Sequence, residues 1–313
     1  MWTVALAALA LATGAAPAQG SRTGEIASGD GVSGLTAYGG HLVFSRREND
    51  RYRLYDWYAG RLRALPVPPR ATTFDADAGP DEHGRPVVVY SACHARCRVM
   101  QLRLDRPTRP RALKTEGRRP SMWRGRLAYV AGGKLWLRDK QTLRRLPLPT
   151  HAAVETLDLG PRAAAFTWAT KDVGVGIGPG WVLQVDPLRG GSEEMVRGYI
   201  SGACGFVRPL TPTAAGVGAF WVQSGATCDV TQAIFAEADV HYAHPRSATV
   251  AGQLIVGATR DATATYYLSA APRSIDGPPN RTSCEHTACS LIRVKTLPWR
   301  PRTPGHRFGP HPG

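Results

Sequence analysis

At 313 residues the chain is long enough to bury a large core, and all-β folds of this size are commonly one domain. Thirty-four glycines and 25 prolines, with few long helical patterns, set aside a helical protein in favour of many short strands joined by turns. The formal charge of +15 comes mainly from arginine, yet Arg51, Arg53, Arg61, Arg63, Arg103 and Arg106 are scattered through turns and alternating strand positions, which speaks against a dedicated nucleic-acid surface.

Residues 1–18 read as a secretory signal peptide. The apolar run from Trp2 to Ala12 is shorter than the roughly 20 residues that span a bilayer, and Ala16-Pro17-Ala18 offers a small-x-small cleavage site before Gln19. No Lys or Arg precedes the run. No Cys follows it until Cys93, which argues against a lipid anchor, and no later segment is apolar for long enough to cross a membrane. Residues 19–297 are then one domain.

Within that domain the chain repeats. Tyr38-Gly39-Gly40-His41-Leu42-Val43-Phe44 leads to Arg53-Leu54-Tyr55-Asp56 and to Arg61-Leu62-Arg63-Ala64-Leu65-Pro66. Trp123-Arg124-Gly125-Arg126-Leu127-Ala128-Tyr129 leads in the same way to Lys134-Leu135-Trp136-Leu137-Arg138-Asp139 and to Leu143-Arg144-Arg145-Leu146-Pro147. A second echo links the stretch 74–80, which precedes the apolar strand 86–91, to Thr156-Leu157-Asp158-Leu159-Gly160-Pro161, which precedes 163–168. Similar units fall at 218–224 with 233–236, and at 254–258 with 265–268. The strands alternate with period two, so one face can be buried and the other wet. Six units of about 40–50 residues predict a six-bladed β-propeller, in which radially packed blades cover one another and leave only short edges. The segment 24–34 is placed to lend a strand to the last blade and lock the ring. Residues 298–313, rich in Pro, Arg, Gly and His without apolar alternation, predict a disordered tail.

Six cysteines allow 15 pairings, and proximity selects Cys93–Cys97, Cys204–Cys228 and Cys284–Cys289 as disulfides. The first and last would bridge hairpin loops, where a Cβ separation of about 4 Å is natural. Zinc at Cys93, His94 and Cys97 is the weaker reading, because no second pair of ligand types stands at matching spacing.

The pattern of apolar strand, Tyr90-Ser91-Ala92-Cys93, a loop Cys97 and a following alternating strand resembles the secreted actinobacterial β-propellers of the TolB-like type. The likeness extends over nearly the whole domain, with Ser274-Ile275-Asp276-Gly277 as the one trace of that family's Ser-x-Asp-Gly turn. It implies a propeller fold and an extracytoplasmic setting.

Chemistry is sparse. Asp75, Asp77 and Asp81, with Gly79 and Gly84 between and after them, could form an oxygen cage for calcium, which takes six to eight oxygen ligands; a structural turn is the competing reading. No Gly-x-Ser-x-Gly or His-Glu-x-x-His occurs, and no pair of carboxylates is marked out for glycoside hydrolysis. His241 and His244 read as a solvated pair, and 174–180 as a glycine-rich hairpin loop without the Lys-Ser/Thr of a phosphate loop. Trp123, Trp136, Trp168, Trp181 and Trp221 stand at strand positions and read as packing between blades. The expectation is an exported, non-enzymatic binding or scaffolding propeller, monomeric and without cofactor, that meets a protein or glycan partner in the cell envelope or outside it. Two alternatives stand beside it: a propeller-type carbohydrate-active hydrolase or lyase with carboxylates converging in the central channel, and a surface polyanion binder whose arginines gather on one face.

Overall fold

The structure is a computed structural model that describes residues 23–29, 31–148, 152–170 and 180–188, and beyond them the strands named below with 261–264, Cys284 and Lys295. Between residues 193 and 251 the description is of the backbone alone. The signal-peptide assignment for 1–18 therefore lies outside the described residues.

The amino-terminal strand β1 (Thr23–Gly29) is followed by a first sheet of β2 (Ser33–Tyr38), β3 (His41–Glu48), β4 (Arg51–Tyr58) and β5 (Arg61–Ala64). The second sheet is β6 (Asp77–Pro80), β7 (Pro86–Cys93), β8 (Cys97–Arg103) and β9 (Arg111–Glu116), and the third is β10 (Arg118–Trp123), β11 (Arg126–Ala131), β12 (Lys134–Asp139) and β13 (Thr142–Arg145). The fourth holds β14 (Ala153–Leu159), β15 (Ala164–Thr170), β16 (Gly180–Asp186), β17 (Glu193–Ser201) and the short β18 (Gly205–Phe206). Next come β19 (Arg208–Ala215), β20 (Gly218–Thr227), β21 (Val230–Asp239) and β22 (Arg246–Ala251), then β23 (Leu254–Arg260), β24 (Thr265–Ala270) and β25 (Cys289–Val294). All pairings are antiparallel. The two described residues of the tail expected to be disordered, β26 (Arg300–Pro301), pair with Arg246 and Ser247 at the edge of β22.

The architecture is a β-propeller. The described residues form six sheets, five of them with described side chains, and in each the first strand lies innermost. Strands β2, β6, β10, β14, β19 and β23 each contact the next, and β23 contacts β2, which closes the circuit. Strand β1 pairs with β25 from Thr23↔Val294 to Gly29↔Cys289, so the amino terminus supplies the outer strand of the last sheet and fastens the ring.

Burial follows distance from the axis. The second strands, such as Val87–Val89 in β7, are buried on both faces and read as continuous apolar runs. The third strands alternate, and the fourth strands β5 and β13 lie open to solvent. Each described core is a seam between neighbouring sheets. Leu42, Phe44, Tyr266 and Leu268 join the last sheet to the first; Val43, Leu54, Val88 and Leu102 join the first to the second. Val89, Val99, Leu127 and Tyr129 form the next seam, and Leu135, Leu137, Phe166 and Trp168 the one after. Trp123, Trp136 and Trp168 lie in these seams, as their strand positions predict.

Candidate functional site

Because the first strand of every sheet starts at the same end of the ring, the loops between second and third strands and the connections between sheets gather there. This entry end carries both described disulfides, Cys93–Cys97 and Cys284–Cys289, with Cα separations of 3.9 and 5.6 Å. Cys204 and Cys228 lie outside the described residues, as do His241, His244 and the loop 174–179.

Around the axis, four polar residues occupy one register position. Thr36, Asp77, Ser121 and Asp158 pair with Val43, Val89, Ala128 and Ala165 on the second strands of successive sheets. The Thr36 hydroxyl donates to Asp77 Oδ1 at 2.9 Å and accepts from the Ala78 amide at 2.8 Å. Ser121 Oγ donates to Asp77 Oδ2 at 2.7 Å and accepts from the Leu159 amide at 2.6 Å, while the Met122 amide donates to the same carboxylate oxygen. Asp158 also hydrogen-bonds Asp77. One belt thus ties β2, β6, β10 and β14 together. Burial pushes the Asp77 carboxyl up to about 6, against the lowering effect of the donors Ser121, Thr36, the Met122 amide and Asp158.

Asp75 stands above the belt, where the chain enters β6. It accepts from the Ser91 amide at 3.1 Å, from the Ser91 hydroxyl, and from the Arg119 amide at 2.8 Å. Arg70 lies 3.6 Å from its carboxylate, donates to the Ser91 carbonyl at 2.8 Å and stacks over Phe74 at 4.0 Å. Burial holds this guanidinium below its usual range, and Asp75 offsets part of that effect.

Asp81 belongs to the opposite end. It follows β6 four residues after Asp77, about 13 Å along an extended chain. There it caps the turn 81–85, accepting from the His83 and Arg85 amides at 2.9 Å each and from Arg85 Nε at 2.7 Å. Burial acts to raise its pKa, but the Arg85 and His83 bonds outweigh that and hold the carboxylate below its ordinary range. The three aspartates considered for calcium are therefore separated by the strand that carries them, and each is occupied by its own protein donors. Among the described residues no three His, Cys, Asp or Glu side chains converge on one point. The turn reading accounts for Asp81, and cross-sheet ties account for Asp75 and Asp77.

A second polar knot, not singled out in the sequence, lies at that same far end. Buried His41 faces both oxygens of buried Asp56 through Nδ1 at 3.1 Å and stacks on Tyr58 at 4.0 Å. Arg63 donates to Asp56 at 2.6 Å and reaches the Leu104 carbonyl of the next sheet. Arg144 repeats that reach, donating to the Leu188 carbonyl at 2.9 Å with Asp186 at 3.7 Å. These side chains clamp sheets together. The repeat signal, an alternating strand ending in Asp followed by a strand bearing Arg, is what could have revealed them.

No protein-family model matches the chain, and no curated protein matches it. Among solved structures it is similar to the β-propeller domain of the trilobed protease from Pyrococcus furiosus, at 10% identity over 89% of this chain and 99% of that one, with a TM-score of 0.45. A solved nidogen/laminin complex matches at 11% identity over 82% and 98%, TM-score 0.48. The SapL1 lectin in complex with α-methyl fucoside matches at 11% identity over 76% and 87%, TM-score 0.42.

Proposed function

We propose that this chain is an exported, non-enzymatic binding or scaffolding propeller that takes a protein or glycan partner on its entry end. The ring counts six blades in this reading, acts as a monomer without cofactor, and shares its extracytoplasmic setting with the TolB-like propellers it resembles in sequence. The observation that carries the proposal is the division of labour between loops and axis. The loops between second and third strands and both described disulfides gather at one end, while Asp75 and Asp77 near the axis are each held by several protein donors.

The hydrolase alternative draws less support. Glycosidases hold two carboxyl groups about 5–9 Å apart around the scissile bond, whereas Asp77 and Asp158 hydrogen-bond each other directly. The polyanion alternative is weakened by the arginines that already have acidic partners, among them Arg53, Arg63, Arg85, Arg96, Arg103 and Arg111. The test is a glycan array together with crosslinking to envelope proteins, repeated on two variants. Arg96→Glu with Arg98→Glu on the entry end should abolish the captured interaction, and Arg124→Glu with Lys140→Glu on the far end should leave it intact. The opposite pattern, or hydrolysis of any arrayed glycan, would overturn the proposal.

A further inference from the structure

The two described disulfides share a fold position but not an environment. Cys284 and Cys289 are 3% and 2% exposed and pack with Val32 and Leu35 inside the closing seam. Cys93 is exposed, and Cys97 is half-buried in a hairpin whose loop residues 94–96 are all exposed. Cys97 is also the sulfur with a cation on it. Arg118 Nε, from the first residue of the next sheet, donates to Cys97 Sγ at 3.1 Å, and the Gly117 amide fixes that approach by donating to the Cys97 carbonyl at 2.8 Å. Arg98 follows in the chain, and Arg96 is 3.6 Å from Glu116.

We infer that Cys93–Cys97 is a thiol-reactive site, opened by an external thiol that attacks Cys93 and expels Cys97 beside Arg118. The attacking species is a thiolate, and exchange runs faster when the departing thiol is the more acidic one. A neighbouring guanidinium stabilises a thiolate and so lowers the pKa of its thiol. The asymmetry sets the direction: Cys93 Sγ is open to approach, and Arg118 sits on Cys97 Sγ, where negative charge develops. As the new bond to Cys93 Sγ forms, the Cys93–Cys97 bond breaks and its electron pair leaves with Cys97 Sγ. A second thiolate then attacks the sulfur of the bound thiol. This releases Cys93 as a thiolate, which takes a proton from water, and yields the thiol's own disulfide. The protein cysteines gain two electrons and the two thiols lose them.

The consequence is local. The opened hairpin loses its covalent tie while Cys97 stays on Arg118 across the gap between second and third sheets, at the entry end of the ring. The ring seam keeps its own buried disulfide.

The experiment exposes the full chain to reduced glutathione under nitrogen, quenches with N-ethylmaleimide at intervals, and maps the peptides by mass. The expected result is a glutathione adduct on Cys93 with maleimide on Cys97, formed while Cys284–Cys289 is still intact. Arg118→Gln should slow opening about three- to tenfold, and Arg118→Lys should keep most of the native rate. An adduct on Cys97, equal opening of both disulfides, or an unchanged rate in Arg118→Gln would overturn the inference. The position of the adduct on the native chain decides the matter without any variant.

Discussion

Asp77 gives the most demanding test of the axial belt. Burial raises its carboxyl from 3.8 to about 6, so between those values the folded chain holds a proton that the unfolded chain has released. The stabilising contribution is therefore complete below pH 4 and is lost as pH rises through about 6. A difference of about two pH units, at about 1.36 kcal/mol each, puts the cost of the ionised group on the order of 3 kcal/mol at neutral pH. Asp77→Asn removes the titration while preserving shape. Its carbonyl can face Ser121 and the Met122 amide. Its NH2 can donate to Thr36 Oγ1, which keeps a lone pair beside the one used by the Ala78 amide, or to Asp158. Urea unfolding at intervals from pH 4 to 7.5 should show native and variant chains within about 1 kcal/mol of each other at pH 4. The variant should then gain by about 3 kcal/mol at pH 7, with unchanged m-values. Parallel pH profiles for the two chains would refute the reasoning, because the substitution removes the titration of Asp77 and alters only that of Asp158, which is hydrogen-bonded to it.

Three further predictions probe the seams. A Cβ at position 79 would stand 2.0 Å from the Met122 carbonyl oxygen, backbone against backbone, so Gly79→Ala should cost more than about 3 kcal/mol in urea unfolding, unlike the surface change Gly84→Asn, whose site is open. Phe44 is fully buried where the last sheet meets the first, and Phe44→Ala should cost about 3–5 kcal/mol with a matching drop in Tm. Replacing both Cys284 and Cys289 by Ser should cost about 2 kcal/mol on loop-entropy grounds and should sensitise the amino-terminal strand, rather than the second sheet, to limited proteolysis.

The strands were legible because burial writes a period of two into them: Leu135 and Leu137 are buried while Lys134 is exposed and Trp136 and Arg138 are half-buried. The hairpin disulfides and the closing strand were legible from spacing and position alone. The belt was half legible. The echo between Asp77-Ala78-Gly79-Pro80 and Asp158-Leu159-Gly160-Pro161 aligned the two aspartates that the fold brings together. Asp75, Asp77 and Asp81 stand close in the sequence, yet Asp75 and Asp77 serve the second and third sheets at the axis and Asp81 the turn at the far end. An extended strand carries neighbours apart and brings equivalent positions of different repeats together. Thr36 and Ser121 carried no signal, since an isolated hydroxyl in a strand looks like any solvated residue until the register is known.

That belt answers a problem peculiar to this architecture. Sheets with similar apolar faces could pack in several registers, because sliding one blade by two residues returns apolar groups to the seam. The hydrogen bonds do not survive such a slide. Moving β10 by two residues along β6 would withdraw Ser121 Oγ from both Asp77 and the Leu159 amide, leaving a buried carboxylate and a buried amide short of partners. Each orphaned buried group costs about 1–3 kcal/mol, more when charged. The Arg63 and Arg144 clamps add the same demand on the far side, since each must find a carbonyl of the next sheet. The polar groups contribute little to net burial energy, and Asp77 is even destabilising at neutral pH. What they supply is a penalty on every register but one, and that penalty holds the entry-end loops in a fixed relation around the axis.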